Sequence, residues 1–137
     1  MLQIISKTID KLVVATSTDP SDDKLSNFLE LKGFLVYRGE IDDVLSRFLE
    51  IEKTTHPTVI VRLTGDCPLV MPGLIDKMVT HFYKSELDYL SNSLEFTFPD
   101  GLDIEVIGTS VLSALFKLNP SSAEREHVTL GIYRRPG

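Results

Sequence analysis

Apolar residues fall in short runs separated by polar loops, and the runs alternate between two periods. Leu12-Val13-Val14-Ala15, Phe34-Leu35-Val36-Tyr37 and Val59-Ile60-Val61 are short, rich in branched or aromatic side chains, and bounded by turn residues, so each reads as a strand. Val59 to Val61 is apolar at every position, which predicts a strand buried on both faces of a parallel sheet. Between these runs the spacing is helical. Asp19-Pro20 reads as N-cap and first helical position, and Asp22 and Asp23 complement the dipole of a helix burying Leu25, Phe28, Leu29 and Leu31. Gly33 is its stop.

Asp42 and Asp43 sit in the first turn of the next helix as dipole partners, with Val44, Leu45, Phe48, Leu49 and Ile51 inward and Asp43 and Arg47 at the i, i+4 spacing of an ion pair. A third helix runs over about 72–83 with Leu74, Ile75, Met78, Val79 and Phe82 on its apolar face. Leu87-Asp88-Tyr89-Leu90 and Glu95-Phe96-Thr97-Phe98 read as short strands, Pro99-Asp100-Gly101 as a turn, and Ile104-Glu105-Val106-Ile107 as a strand carrying one acid. Residues 110–118 are helical. Ser121-x-x-Glu124 is a capping box that opens a last helix to about Tyr133. Residues 1–9 read as the end of a helix. Strands alternating with helices of about ten residues argue an α/β fold, a three-layer α/β/α arrangement on a mainly parallel, Rossmann-like sheet. In such a sheet the loops carrying Thr16, Arg38-Gly39 and Asp66 share one edge and converge on one crevice.

Size and charge narrow the functions. The chain has 137 residues, enough for one domain with a core, and a net charge of −6 with no basic run, which argues against nucleic-acid binding. Free nucleotides remain open, because a metal and backbone N–H groups bind phosphate within an acidic protein. A single cysteine, Cys67, precludes an internal disulfide and a multi-cysteine zinc site and fits a reducing compartment. The sequence has no run of transmembrane length and no signal-peptide pattern, so a cytoplasmic protein without membrane attachment is expected.

Candidate chemistry centres on TVIVRLTGDCPLV (58–70). Gly65 permits a sharp turn after the strand and Pro68 cannot continue a ladder, which sets Asp66 at the strand's carboxyl end. A carboxylate there is placed to hold a divalent cation against a phosphate, although capping the next turn is the plainer role. Cys67 has no histidine near it in sequence and reads as a small loop residue rather than a nucleophile. The three histidines are scattered; His56 and His81 read as surface residues. Asp100, Asp103 and Glu105 make an acidic hairpin, either a turn with an edge-strand charge or a set of hydrogen-bond acceptors for a ligand, with Asp103 a weak second metal contact as a further option. Arg125-Glu126-His127 is a polar helix start.

Five strings in order carry a resemblance: VVATST (13–18), VYRGEIDDVLSRF (36–48), VRLTGDCPLV (61–70), FPDGLDIEV (98–106) and SAEREHVT (122–129). Together they span nearly the whole chain and resemble the SpsF-type spore coat polysaccharide cytidylyltransferases, which are similar to CMP-KDO synthetases and acylneuraminate cytidylyltransferases. The resemblance implies a nucleotide-diphosphosugar-transferase fold and activation of an acidic or rare sugar with CTP and Mg²⁺ in surface polysaccharide synthesis. It makes Asp66 the metal-holding catalytic carboxylate. Thr16, Ser17, Arg38, Gly39 and Gly65 become nucleotide-side residues, and Asp103, Glu105, Arg125 and His127 sugar-side residues. Nucleotides and sugars are the implied small-molecule partners, and a homodimer is the expected assembly.

Two departures bear on activity. Members open with a strand and a loop of the type G-x-x-R-x-x-S-x-R-x-P-x-K around the triphosphate, which this sequence lacks, and they continue to a second metal-binding Asp beyond its last residues. The chain therefore reads as the middle of a cytidylyltransferase, with little transferase activity expected of it alone, and an exposed sheet edge that favours self-association. The rival reading is an inactive remnant working as a binding or dimerisation module. A third is an Mg²⁺-dependent phosphohydrolase.

Overall fold

The computed structural model describes residues 6–95 and 98–135. The expected helix end over 1–9 lies largely outside them, as does the middle of the Glu95–Phe98 strand. The described chain is α/β and divides into two compact units, one of residues 1–10 and 58–111, the other of 11–57 and 112–137.

The second unit holds a β-α-β element. Strand β1 (Val13–Ser17) pairs in parallel with β2 (Leu35–Gly39), with Thr16 opposite Arg38 and Ser17 opposite Gly39. A 3-10 turn, Pro20–Asp22, leads into α1 (Asp23–Leu31), and Asp19 caps the turn by accepting from the Ser21 N–H, as its Asp-Pro signature predicts. Gly33 takes φ +82 just past the helix and ends it. The face of α1 differs from expectation. Leu29 is buried, but Leu25, Phe28 and Leu31 are 47%, 55% and 87% exposed, and Ser26 is the other buried residue. Helical spacing identifies an apolar stripe, not what covers it.

In α2 (Val44–Thr55), Asp43 is the N-cap through the Ser46 N–H, and Leu45 is fully buried. Val44, Phe48, Leu49 and Ile51 are half-buried. The expected Asp43–Arg47 pair does not form. Arg47 is buried and donates to the carbonyls of Glu40 and Ile41, while Asp43 pairs with Arg125. Two backbone acceptors within reach of a buried guanidinium outweigh an exposed i, i+4 contact. The expected single last helix is two, α5 (Ser122–Glu126) and α6 (Leu130–Tyr133). Val128, fully buried with φ +34, interrupts them. Glu124 reaches back to the Ser121 N–H at 2.8 Å, as a capping box requires.

The first unit holds a three-stranded sheet in the order β3 (Val59–Arg62), β5 (Glu105–Gly108), β4 (Tyr89–Ser91). Helix α3 (Pro72–Lys84) links β3 to β4. Here the mainly parallel sheet is corrected: β5 is antiparallel to both neighbours. The reason is the connection. The described residues between β4 and β5, 92–95 and 98–104, carry no helix, so the chain can turn back directly, whereas β3 and β4, joined through α3, run in the same direction. Among the described residues β3 is an edge strand, half-buried at all four positions rather than buried on both faces. Glu105, read as an edge charge, sits in the middle strand and is buried. Ile75, Met78, Val79 and Phe82 of α3 pack with Cys67, Val70, Ile104 and Val106 in one core. Helix α4 (Thr109–Lys117) follows β5 directly.

Candidate functional site

The loop after β3 is built for an outward carboxylate. Cys67 and Val70 are buried in the core, while Gly65, Asp66, Pro68 and Leu69 face solvent. The Cys67 N–H closes a turn on the Thr64 carbonyl at 3.2 Å, and the Leu69 N–H donates to the Gly101 carbonyl at 3.0 Å. Gly101 takes φ +88, which favours glycine at that corner. The Thr64 hydroxyl donates to Asp66 Oδ1, and the Cys67 thiol lies 3.7 Å from the same oxygen. The Thr64 bond, above all, holds the Asp66 carboxyl below its ordinary value. Asp66 therefore stays ionised, and no side chain engages Oδ2 among the described residues.

Beside this loop, Arg62, Thr64, Ser93, Asp103 and Glu105 line a recess of about 90 Å³. Arg62 and Glu105 form a close ion pair, and the other Glu105 oxygen accepts the Tyr89 hydroxyl at 2.6 Å. Asn92 fixes the backbone on either side of Asp103: its amide donates to the Leu102 carbonyl at 2.9 Å and accepts from the Ile104 N–H at 2.8 Å. The expected sugar-side acids Asp103 and Glu105 thus meet in one recess with Thr64, whose hydroxyl bonds Asp66.

The other expected site residues lie in the second unit. Thr16 and Ser17 are buried, and both hydroxyls donate to Asp22 Oδ2, at 2.7 and 2.5 Å, with the Ser17 N–H at 2.9 Å. Those bonds, the Ser17 hydroxyl first, lower the Asp22 pKa to about 2. Arg38 clasps the same turn through the Ser17 and Asp19 carbonyls and an ion pair with Asp23 at 2.7 Å. The Gly39 carbonyl accepts from the Thr18 N–H at 2.8 Å, and a Cβ at Gly39 would meet Arg47 Cγ at 2.9 Å. Arg125 pairs with Asp43 at 2.7 Å and lies over the Phe116 ring. His127 is exposed. Thr16, Ser17, Arg38 and Arg125 accordingly each bond to other residues of the fold.

Sequence reasoning missed Arg62, Tyr89 and Asn92, and read Asp22 only as a dipole partner. Arg62 left a signal: an opposite-charge residue in each of two apolar strands, Arg62 and Glu105, is the signature of a cross-strand pair. Asn92 and Tyr89 left none, because their partners are set by strand order.

Mg²⁺ commonly takes one or two carboxylates with water and substrate phosphates making up its shell. Among the described residues no group of three or more His, Cys, Asp or Glu is gathered to cage an ion. An exposed, ionised Asp66 fits the single-carboxylate kind of site.

Comparison with known proteins bears on the chain as a whole. A family model described as cytidylyltransferase matches residues 3–123. The spore coat polysaccharide biosynthesis protein SpsF of Bacillus subtilis is 38% identical over 133 residues, covering 95% of this chain and 53% of that protein. An uncharacterized protein of Methanocaldococcus jannaschii is 37% identical over 131 residues, with 96% and 53% covered. The solved structure of a cytidylyltransferase from Leptospira borgpetersenii superposes with a TM-score of 0.89 at 34% identity, covering 96% of this chain and 56% of the other. The chain spans about half the length of the relatives it matches.

Proposed function

The chain belongs to the cytidylyltransferase family, and from that premise we propose that it takes part in transferring a nucleotidyl group from CTP to a sugar, with Mg²⁺, to supply a CMP-sugar for surface polysaccharide. The observation that carries the reading is Asp66, an ionised, exposed carboxylate at the carboxyl end of β3, hydrogen-bonded by a threonine that also lines a polar recess. In the reaction a sugar hydroxyl attacks the α-phosphorus of CTP, its proton passes to water, the new P–O bond forms, and the bond to pyrophosphate breaks. Mg²⁺, when bound, neutralises charge on the phosphates. Asp66 would hold that ion, Thr64 keeps Asp66 ionised and oriented, and Asp103 and the Arg62–Glu105 pair would receive the acceptor sugar. Thr16, Ser17, Arg38, Gly39 and Gly65 would shape the nucleotide side through backbone rather than through free side chains. His127, exposed at the end of α5, and Arg125 are assigned to the sugar side. The setting we propose is a homodimer in the cytoplasm, with residues 1–137 one cytidylyltransferase-like domain of three-layer, Rossmann-like design.

One observation favours a second reading, a non-catalytic binding module. Four of the polar residues assigned to substrate, Thr16, Ser17, Arg38 and Arg125, already have internal partners.

Calorimetric titration with CTP and Mg²⁺, wild type beside Asp66→Ala, separates the two. Saturable binding lost in the variant, followed by pyrophosphate release on adding a sugar, supports transfer. No CTP binding in either protein overturns it and leaves the module.

A further inference from the structure

Arg47 of α2 is buried, and among the described residues it has no ion-pair partner. Burying a cation without an opposite charge is costly. What this one holds is the backbone of a single short stretch, the loop that leaves β2. Its Nε donates to the Glu40 carbonyl at 2.8 Å, and one Nη donates to the Ile41 carbonyl at 2.5 Å. Two donors fixed side by side in a planar fork match two successive carbonyls, which one ammonium nitrogen does less well.

The same side chain meets the loop a second time, at Gly39. The backbone angle there does not require glycine, but the space does. A Cβ at Gly39 would stand 2.9 Å from Arg47 Cγ and 3.3 Å from Tyr37 Cε1. Cγ lies near the root of a side chain whose head is held, so it cannot swing aside cheaply. On its other side Gly39 faces the end of β1. It lies opposite Ser17 in the ladder, and its carbonyl accepts the Thr18 N–H at 2.8 Å. Contact therefore runs from α2 through Arg47 to the 39–41 loop, and from Gly39 to residues 17–18.

We propose that Arg47 is a positioning residue for nucleotide binding. It locks the backbone of Gly39, Glu40 and Ile41, and through Gly39 the end of β1, in the shape that receives CTP, without touching the nucleotide itself. The inference rests on the transferase reading above for the nucleotide, while the lock is measured without ligand.

Amide hydrogen exchange of the full chain, followed by NMR, reads the lock at two sites. One is the Thr18 N–H, bonded to Gly39; the other is the Phe34 N–H, bonded to the Leu29 carbonyl at 3.0 Å in the same unit. Arg47→Met keeps the stem and removes the donors. It is expected to speed exchange about tenfold at Thr18 and less than about twofold at Phe34, whereas loss of a merely structural residue speeds both alike. Gly39→Ala should also speed Thr18, but add less than about twofold in an Arg47→Ala background, where the Cγ it strikes is gone. Calorimetry with CTP and Mg²⁺, on variants whose Phe34 amide stays protected, should show binding about tenfold weaker in Arg47→Met, with Arg47→Lys between it and wild type. Should Arg47→Met unfold, Arg47→Lys carries the same comparison. Equal acceleration at both amides, or Thr18 exchange unchanged, overturns the proposal. CTP binding that is the same in wild type and a folded Arg47→Met removes this inference alone. A wild type that binds no CTP removes the transferase reading, and the lock then stands or falls by Thr18 exchange.

Discussion

Arg62 and Glu105 stand directly opposite each other in the β3–β5 ladder, and their side chains close an ion pair that is largely shielded from water. The pair is a wall of the recess and a joint of the sheet at once.

Its two halves should fail unequally. Arg62→Ala strands the Glu105 carboxylate in the middle strand and is expected to cost about 3 kcal/mol in urea unfolding. The double change Arg62→Met with Glu105→Leu should recover most of that loss, because apolar replacements of both partners leave no buried charge. A double variant as unstable as the single one would show that the pair is not what holds this wall.

Thr64 governs the titration of Asp66. Its hydroxyl bond stabilises the ionised carboxylate, so Thr64→Val should raise the Asp66 pKa toward its ordinary value. Cation binding by Asp66 would then be lost at a higher pH as the solution is acidified. Side-chain carbonyl NMR of Asp66 across an acid titration reads the shift directly; an unmoved midpoint would remove Thr64 from this role.

Acid should loosen the β1–α1 turn through Asp22. The folded pKa, about 2, lies below its unfolded value, so its contribution to stability is complete above about pH 4 and is lost as pH falls toward 2. Asp22→Asn should flatten that part of the stability–pH curve. Equilibrium denaturation at several acidic pH values measures it.

Asn92 acts as a strand's worth of backbone. Asn92→Ala removes a donor and an acceptor and is expected to cost about 1–2 kcal/mol, with faster hydrogen exchange at Ile104. Asn92→Asp keeps the acceptor for the Ile104 N–H and should retain more protection there than alanine does.

Gly131 is set by contact rather than by backbone angle. A Cβ there would lie 2.4 Å from Leu115 Cδ1, and Leu115 is itself buried, so Gly131→Ala should cost about 1–2 kcal/mol. Adding Leu115→Val should give part of it back if the clash is the cause, as thermal unfolding of the single and double variants would reveal.

Local signals in the sequence were legible where one residue dictates its own neighbourhood. Asp19-Pro20 capped the turn before α1, Gly33 ended α1, and the Asp66 loop lay between a strand and a helix, while Asp43, expected inside the first turn of α2, proved to be its cap. The failures all involve partners far along the chain. Helical spacing could not tell that Leu25, Phe28 and Leu31 stay exposed. Charge spacing paired Asp43 with Arg47, four residues away, when its partner is Arg125, 82 residues away. Alternation of strands and helices implied parallel neighbours, but β5 enters between two strands that α3 had already set in the same direction. The candidate site divides the same way. Asp66 was legible from its loop, and Asp103 with Glu105 from their hairpin, while Arg62, Tyr89 and Asn92 became visible only once strand order was known.

The insertion of β5 between β3 and β4 also sets a timetable for folding. On the ribosome, β3 and β4 emerge first and in the same direction, yet neither has its ladder until residues 105–108 follow, 43 positions after Arg62 in the case of Glu105. The β4–β5 ladder closes over a short connection and the β3–β5 ladder over a long one, so closing the long loop has the larger entropy cost and completes the recess wall. Until then α3 has only half a sheet to lean on. A nascent chain stalled short of residue 105 would present its apolar face to chaperones, and one released past residue 108 would bury it.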